Sequence, residues 1–378
     1  MIAEIIFFLS LLLLFYTYIG YPLLIFSIGR LFPKEVKKSK IEPKVTILMT
    51  AYNEEKNIRQ KIQNTLQIDY PRQKLEIIVA SDGSTDRTDD IVKEFSDQGV
   101  KLFRQEGRKG KTYTQNKAIE QASGEIILFS DATTLYPKNI LRKLLPNFAD
   151  ESVGCVTGRL IYVSDPNSTI GDGTKSYWEY ENFIKEAESR ACSLVGASGC
   201  MYAVRRSAYE PMYPEACSDF LIASILYRRG LRSIIEPEAI CFEKTNENFE
   251  DELNMRVRVV TQTLTDLWIN RDMLNPFKTG LYAIELISHK VLRYMVPFFL
   301  ISLFVSNALL ITESLFFVFT FFLQLLFYLL ALIARFLEKR KVKFLKQPLY
   351  FLLANLASLI GFYKFLKGDR IPNWETKR

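Results

Sequence analysis

The chain has 378 residues, of which 48% are hydrophobic and 24% are charged, and its formal net charge is +7. This combination excludes a uniformly soluble and a uniformly membrane-buried protein, so we expect apolar and polar segments in different parts of the chain. The five cysteines form no C-x-x-C pair and the only histidine is His289, which argues against a disulfide framework and a zinc site.

The first predicted element is an apolar segment at residues 2–28, which is long enough to cross a bilayer and is interrupted by Gly20-Tyr21-Pro22. It lacks the basic start and the small-residue cleavage site of a signal peptide. We therefore predict an N-terminal transmembrane helix within residues 1–30.

Residues 44–244 alternate between short apolar runs and helical patterns. The runs VTILM, LEIIVA and EIILFS are typical of buried parallel strands. The segments NIRQKIQNTLQ, TDDIVKEFSDQ and TQNKAIEQA predict helices between them. The predicted fold class is therefore α/β, in a domain over residues 31–249 whose ligands bind at the carboxyl ends of the strands.

Polar side chains follow all three predicted strands. Tyr52 and Glu54 come after the first strand, Asp82 after the second, and Asp131 with Thr133 after the third. A single such turn is commonly a helix cap, but three in succession predict a nucleotide site in the crevice of the sheet. There Asp82 can accept from a base N–H, Tyr52 can pack on the base, and Asp131 can hold Mg²⁺ or Mn²⁺ with diphosphate oxygens.

Two nucleotide-binding motifs are missing. No G-x-G-x-x-G follows the first strand, which disfavours a dinucleotide-binding domain, and no G-x-x-x-x-G-K-[ST] occurs. The run GRKGKT at residues 107–112 has the wrong spacing for a P-loop. It is interpreted as a basic loop that faces donor phosphates, with a solvated turn as the alternative.

The C-terminal part of the chain begins with residues 250–293, which mix charged and bulky apolar residues at helical spacing. They predict amphipathic helices at the membrane face, with an ordinary surface helix as the alternative for the first half. Three further spans are predicted at residues 294–312, 315–334 and 348–366, together 294–366, before a basic tail at 367–378.

Lysine and arginine residues cluster after the first span and between the third and fourth. By the positive-inside rule both clusters should be cytoplasmic, which predicts a cytoplasmic domain over about residues 30–290 in a multi-pass protein of the inner membrane. With four crossings the basic tail falls outside the cell. A re-entrant segment would bring it inside.

Several motifs occur in an order that resembles family-2 glycosyltransferases of the GT-A fold, over nearly all of residues 44–290. They are VTILMTAYNEE, IIVASDGSTDRT, GRKGKTYTQNKA, ILFSDATT, GASGCMYAVRR and the acidic step Cys217-Ser218-Asp219. The flanking spans resemble those of bacterial synthases of polysaccharides and lipid-linked glycans. The resemblance implies a Rossmann-like nucleotide-diphospho-sugar transferase domain with transmembrane helices at both ends.

The resemblance also implies donor-side roles. It assigns the nucleoside, usually uridine, to Tyr52, Glu54 and Asp82. It puts the basic segment with Lys109, Lys111 and Asn116 near the donor. Asp131 would be the first acid of the D-x-D motif, which ligates a divalent cation on the diphosphate, but Thr133 replaces the second acid. A water or the Thr133 hydroxyl could fill that position.

On the acceptor side, the resemblance makes Asp219 the catalytic base, with Ser218 in place of the usual preceding acid. A helix cap is the alternative for Asp219, and both roles are compatible. Gly199 and Cys200 lie in a loop like the family's acceptor loop. Processive synthases carry Q-x-x-R-W, and the nearest segment is MRVRV, in which Arg256 and Arg258 can contact diphosphate.

We therefore expect an inverting glycosyltransferase that moves a sugar from a nucleotide-sugar, by resemblance a UDP-sugar, to a lipid-linked or growing glycan acceptor. The protein would contact membrane lipid and no nucleic acid. One alternative is a processive polysaccharide synthase coupled to export, for which an oligomer or an export partner would complete a channel. Another is a non-catalytic membrane scaffold that binds nucleotide sugars.

Overall fold

The computed structural model describes residues 1–163, 169–246, 248–336 and 346–370. The strands in these ranges are β1 (Val45–Ala51), β2 (Leu75–Ser81), β3 (Val100–Arg104), β4 (Ile126–Asp131), β5 (Val153–Val163), β6 (Met201–Arg205) and β7 (Arg232–Lys244). The helices are α1 (Ile2–Phe15), α2 (Tyr21–Leu31), α3 (Ile58–Leu66), α4 (Thr88–Lys93), α5 (Lys111–Ile119), α6 (Ile140–Leu144), α7 (Thr169–Ala191), α8 (Ser218–Arg228), α9 (Phe249–Ile269), α10 (Pro276–Thr279), α11 (Leu281–Leu286), α12 (Leu292–Leu310), α13 (Leu315–Phe336) and α14 (Lys346–Lys367).

These elements divide into two compact units. The first, here called the sheet unit, contains Ile28–Val163 and Glu181–Lys244. The second, the helical unit, contains Met1–Ser27, Thr245–Asp369 and the described part of Ser164–Tyr180. The sheet unit carries all the strands described above.

The sheet unit is built on one sheet with the strand order β3-β2-β1-β4-β6-β5-β7. Strands β3, β2, β1 and β4 are mutually parallel, and β6 runs antiparallel to both of its neighbours. All residues of β1 are buried, which explains its continuous apolar sequence. The three strands expected from VTILM, LEIIVA and EIILFS are confirmed, and their carboxyl ends lie at one edge of the sheet.

The helices predicted between these strands are present, with different bounds. The segment TDDIVKEFSDQ forms α4 only as far as Lys93 and ends in a separate 3₁₀ turn at Ser96–Gln98. By contrast, α5 begins earlier than predicted, at Lys111, before the segment TQNKAIEQA. The basic run therefore leads directly into a helix, and Lys111 is the first residue of that helix.

The described residues contain four helices that are long and apolar enough to cross a membrane, at Ile2–Leu31, Leu281–Leu310, Leu315–Phe336 and Gln347–Lys367. The first is not broken at Gly20-Tyr21-Pro22, because a π-helical turn at Tyr16–Gly20 carries the chain through. The second begins at Leu281, ahead of the predicted residue 294, since another π-helical turn joins α11 to α12. Such turns relax the helix without ending it.

Within the helical unit, contacts between distant segments hold the helices together. The Tyr16 hydroxyl and the Ser288 hydroxyl are 2.9 Å apart, which joins the two π-helical turns. A Cβ at Gly361 would lie 2.7 Å from a methyl carbon of Val260, so α14 packs directly on α9 at this glycine. The amphipathic segment that begins at residue 250 thus belongs to the same compact unit as the four apolar helices.

Glu76 ties β2 to its neighbours in the sheet unit. Its carboxylate accepts from the Thr46 hydroxyl at 2.6 Å, the Lys101 ammonium at 2.7 Å and the Ser123 N–H at 2.8 Å. Burial alone would raise the pKa of Glu76, but these hydrogen bonds outweigh it and lower the pKa to about 2. The ionised form is therefore favoured in the folded state.

We predict that Glu76→Gln lowers the free energy of unfolding by about 3 kcal/mol at pH 7. For an acid whose pKa is depressed, the stabilisation is complete above its ordinary pKa and is lost as the pH falls through the folded-state value. Thermal unfolding of the wild type should therefore become easier between pH 4.5 and 2, and the variant should show less of this loss. Glu120→Gln, at an exposed glutamate, is the control. A variant that tracks the wild type at every pH would contradict the prediction.

Candidate active site

The turns that follow β1 and β2 are joined by side chains. The Asn53 carboxamide accepts from the Thr85 N–H at 2.8 Å, and the Glu54 N–H donates to the Thr88 hydroxyl at 2.8 Å. Asn53 has a φ of 52°, the one positive φ of a non-glycine residue in the part of the chain that the structure describes. Asparagine tolerates this conformation better than most residues, so its position here fixes the path of Tyr52 and Glu54.

Asp82 is fully buried behind the basic loop at Gly107–Gly110. Its carboxylate accepts from the Lys109 N–H at 2.8 Å, the Gly110 N–H at 2.9 Å and the Thr114 hydroxyl at 2.8 Å. These contacts join the turn after β2 to the basic loop. In the described conformation the Asp82 carboxylate therefore binds protein groups. The predicted contact with a base N–H would therefore require this loop to move.

The same loop covers Tyr52. The guanidinium of Arg108 lies 3.9 Å from the centre of the Tyr52 ring, a cation–π contact on the face that the sequence analysis assigns to a base. Gly83 allows the loop to approach, because a Cβ there would be 2.7 Å from the Gly107 carbonyl. Lys109, by contrast, has an exposed side chain. Arg108 was not singled out in the sequence analysis.

Lys111 connects the loop to the third strand end. Its ammonium lies 2.5 Å from the Asp131 carboxylate and 3.4 Å from the Gly199 carbonyl oxygen. Asp131 is the last residue of β4, and its side chain is about one-third exposed, at 32%. The Asp131 carboxylate is therefore paired with the Lys111 ammonium and is also accessible to a ligand from solvent.

Asp219 lies on the other side of Gly199. A Cβ at Gly199 would be 2.9 Å from Asp219 Oδ2, so only glycine fits without moving the carboxylate. Asp219 is in the first turn of α8, and its Oδ1 accepts from the Cys217 thiol at 3.2 Å. The residue before the helix is Cys217, so Asp219 itself is not the cap. Asp82, Asp131 and Asp219 are thus connected through Gly110, Lys111 and Gly199.

Two other predicted site residues, Asn116 and Cys200, have structural contacts of their own. Asn116 accepts from the Tyr209 hydroxyl at 2.7 Å and donates to the Met212 carbonyl at 2.6 Å, so its amide fixes the segment before α8. Cys200 is buried, and its Sγ lies 3.6 Å from that of Cys241. This contact and the burial raise the pKa of the Cys200 thiol well above its usual value, which suits packing better than chemistry.

Arg256 and Arg258 are on α9, in the helical unit. The Arg256 guanidinium donates to the Glu252 carboxylate at 2.8 Å and lies beside two rings, 4.6 Å from the centre of Tyr177 and 4.8 Å from that of Tyr350. These contacts are all within the helical unit. The diphosphate role of both arginines stays a prediction.

A buried pair of groups beside Asp131 was missed in the sequence analysis. Thr133 Oγ1 donates to the Glu243 carboxylate of β7 at 3.0 Å, and Lys61 donates to the Thr134 carbonyl at 2.6 Å. No local motif marks Lys61 or Glu243. Their proximity depends on β7 returning beside the chain after β4, where Leu135 and Phe242 form a backbone bridge.

Among the described residues, no three acidic, histidine or cysteine side chains cluster in the manner of a metal site. Asp131, Thr133 and Glu243 offer two carboxylates and a hydroxyl. Such oxygen ligands suit Mg²⁺ or Mn²⁺, which complete their coordination with water and phosphate oxygens. The residues present therefore fit a divalent cation that is held partly by its substrate.

Comparison with known proteins finds matches over this part of the chain. Residues 46–212 match the family model described as glycosyl transferase family 2. Poly-beta-1,6-N-acetyl-D-glucosamine synthase of Staphylococcus aureus is 29% identical over 222 residues, covering 57% of this chain and 53% of that protein. The probable glycosyltransferase YdaM of Bacillus subtilis is 27% identical over 241 residues, covering 60% and 56%. The chain thus spans about half the length of these curated relatives.

A solved structure has the same fold over nearly the whole chain. The mannosyltransferase PcManGT from Pyrobaculum calidifontis, in complex with GDP-Man and Mn²⁺, gives a TM-score of 0.71 at 22% identity and covers 96% of this chain and 99% of its own. The predicted α/β fold of the GT-A type is confirmed by this likeness. At this identity the likeness establishes the fold alone.

Lys61 provides a pH test of this part of the structure. Its ammonium is fully buried, and burial lowers its pKa to about 7. The unfolded chain keeps the proton up to the ordinary pKa near 10.5, so stability should rise with pH between about 7 and 10.5.

We predict that this rise, on the order of 2 kcal/mol between pH 7 and 9, is lost in Lys61→Met. Unfolding midpoints at several pH values in that window measure the effect. Lys117→Met, which removes an exposed lysine of α5, should keep the pH dependence of the wild type. Equal slopes for the wild type and Lys61→Met would show that the buried amine does not titrate as expected.

Proposed function

Because residues 46–212 match the model of glycosyl transferase family 2, we propose that this chain transfers a sugar, with inversion, from a nucleotide-sugar to a lipid-linked or growing glycan acceptor. The observation that carries the proposal is the connection of Asp131, Lys111, Gly199 and Asp219 at one edge of the sheet. Sugar transfer needs an acid that binds a cation on the donor and a second acid that accepts the acceptor's proton. Asp131 and Asp219, on the two sides of Gly199, would meet these two needs.

On the donor side, Tyr52, Glu54 and Asp82 are proposed to hold the nucleoside after the loop at Gly107–Gly110 has moved. The basic residues Lys109 and Lys111 would then face the diphosphate. A UDP-sugar is the first choice of donor. GDP-linked sugars are the second, because the mannosyltransferase with the same fold was solved with GDP-Man.

Asp131 and Thr133 would hold Mg²⁺ or Mn²⁺ on the donor. When bound, the cation would offset the negative charge that develops on the leaving nucleoside diphosphate. The Lys111 ammonium, 2.5 Å from Asp131, can contribute in the same way. The presence of Mn²⁺ in the mannosyltransferase complex supports this assignment.

Asp219 is proposed as the base. An acceptor hydroxyl that donates to its carboxylate would pass its proton to that oxygen while attacking the anomeric carbon from the side opposite the diphosphate. The absence of a side chain at Gly199 lets the Asp219 carboxylate keep its position, since a Cβ there would lie 2.9 Å from Oδ2. The Cys217 thiol, which donates to Oδ1, holds the orientation of Asp219.

Four helices long enough to cross a membrane support a membrane-embedded acceptor. With the basic clusters on the cytoplasmic side, the transfer would occur at the cytoplasmic leaflet. A processive polysaccharide synthase is the second candidate, and it is favoured by the relatives named poly-beta-1,6-N-acetyl-D-glucosamine synthase. The two candidates differ in the length of their product.

The decisive experiment uses membranes with the full chain and a panel of radiolabelled UDP- and GDP-sugars, with and without Mn²⁺. We expect one donor to be turned over, and Asp219→Asn to lower the rate at least about 100-fold while donor binding persists. Glu215→Gln, four residues earlier, should leave the rate unchanged. Transfer that continues unchanged in Asp219→Asn would remove the base. Donor binding without turnover in the wild type would favour a scaffold, and product length separates single transfer from polymerisation.

A second prediction concerns the glycine between the two acids. Gly199→Ala should push Asp219 from its position and lower kcat at least about tenfold, because small displacements of a reacting group are costly, with little change in the KM for the donor. Gly196→Ala is the comparison variant, since its Cβ would press on the Phe220 ring at 3.3 Å and its nearest contacts are all with Phe220, none with the Asp219 carboxylate. The rates of both variants test the role, and equal kcat values would contradict it.

A further inference from the structure

The acidic motif at residues 131–133 contains one carboxylate, because Thr133 stands where the family has a second acid. A neutral hydroxyl is a weaker partner than a carboxylate for a hard divalent cation. The structure brings a carboxylate to this position from elsewhere in the chain, since Thr133 Oγ1 donates to Glu243 Oε1 at 3.0 Å. The missing charge is thus supplied within hydrogen-bond distance of the substituted residue.

The backbone fixes this arrangement. Leu135 and Phe242 exchange two hydrogen bonds, of 2.9 and 3.0 Å, between the chain after β4 and the end of β7. Glu243 is the next residue after this bridge, and it pairs with Tyr162 in the register of β5 and β7. The position of its carboxylate is therefore set by two backbone contacts.

Burial of Glu243 needs an explanation, because an ionised acid is costly to remove from water. Glu243 as a whole residue is only 7% exposed, while the side chain of Asp131 is 32% exposed. Both carboxylates act electrostatically on the same two buried groups, the Lys61 ammonium and the Cys200 thiol. They therefore contribute to one local field beside Thr133.

We infer that Glu243 supplies the second acidic ligand of the cation site and compensates for Thr133 in the acidic motif. The assignment rests on the proposed function, in which a divalent cation binds with the donor diphosphate. Glu243, Asp131 and the Thr133 hydroxyl form a ligand set of oxygen atoms only. This set suits Mn²⁺ or Mg²⁺ and disfavours metals that prefer nitrogen or sulfur.

The test measures cation binding directly. The detergent-purified full chain is titrated with Mn²⁺ alone, and free Mn²⁺ is followed by its electron paramagnetic resonance signal. Glu243→Gln and Asp131→Asn should each raise the Kd at least about tenfold, since losing even an outer partner of a metal ligand costs roughly 10- to 100-fold. Glu236→Gln is the matched control, because Glu236 is a buried glutamate of the same strand whose carboxylate accepts from Lys38 and Asn147.

A second-site variant sharpens the result. Thr133→Asp restores the acid of the motif, so Thr133→Asp combined with Glu243→Gln should regain most of the lost affinity. If Glu243→Gln does not fold, Glu243→Asp decides, since it keeps the charge but moves it back by one methylene. A direct ligand then loses affinity several-fold, whereas a group with a purely structural role does not.

The inference would be overturned if a folded Glu243 variant bound Mn²⁺ like the wild type, or if the double variant regained nothing. A normal Kd for Asp131→Asn would also overturn it, because no cation would then bind at this motif. These outcomes leave the proposed function to the transfer assay with Asp219→Asn. Failure of the cation assignment and failure of sugar transfer are therefore seen in different measurements.

Discussion

The site depends on the hydrogen bonds with which Asp82 holds the loop at Gly107–Gly110. A buried carboxylate without partners would be costly, and this one is satisfied by two backbone N–H groups and the Thr114 hydroxyl. Because Gly110 is followed directly by Lys111, the same contacts fix the start of α5 and bring its first ammonium to Asp131. The Asp82 carboxylate thus helps to set the position of the lysine that pairs with Asp131.

Charge is balanced in pairs around the strand ends. Lys111 forms an ion pair with Asp131, and the buried Lys61 interacts electrostatically with both Asp131 and Glu243. Further along the sheet, Lys101 pairs with Glu76. Each pair lowers the cost of keeping an acid in or near the core.

The elements that could be predicted from the sequence are those with a local signal. The runs VTILM, LEIIVA and EIILFS became β1, β2 and β4, because continuous apolar runs are what buried parallel strands require. The acids after them lie together since the ends of parallel strands share an edge. The first span was read as interrupted at Gly20-Tyr21-Pro22, whereas a π-helical turn keeps it continuous, an accommodation that residue patterns do not encode.

What could not be predicted depends on contacts between distant parts of the chain. Glu243 follows no motif, and only the return of β7 beside Leu135 brings it to Thr133. Similarly, the basic run was predicted to be a loop, but the sequence did not show that Arg108 lies on Tyr52 or that Asp82 is enclosed. The sequence shows which side chains a turn carries, but the tertiary fold determines which residues those side chains contact.

The closed loop has an energetic consequence. Arg108 occupies the face of Tyr52, and Lys111, three residues later, occupies Asp131. In the proposed function, a base would displace Arg108 and a cation would displace Lys111, and both would act on one short peptide. Binding of either would then do part of the work of freeing that peptide, so nucleotide and cation would strengthen each other's affinity by the same factor.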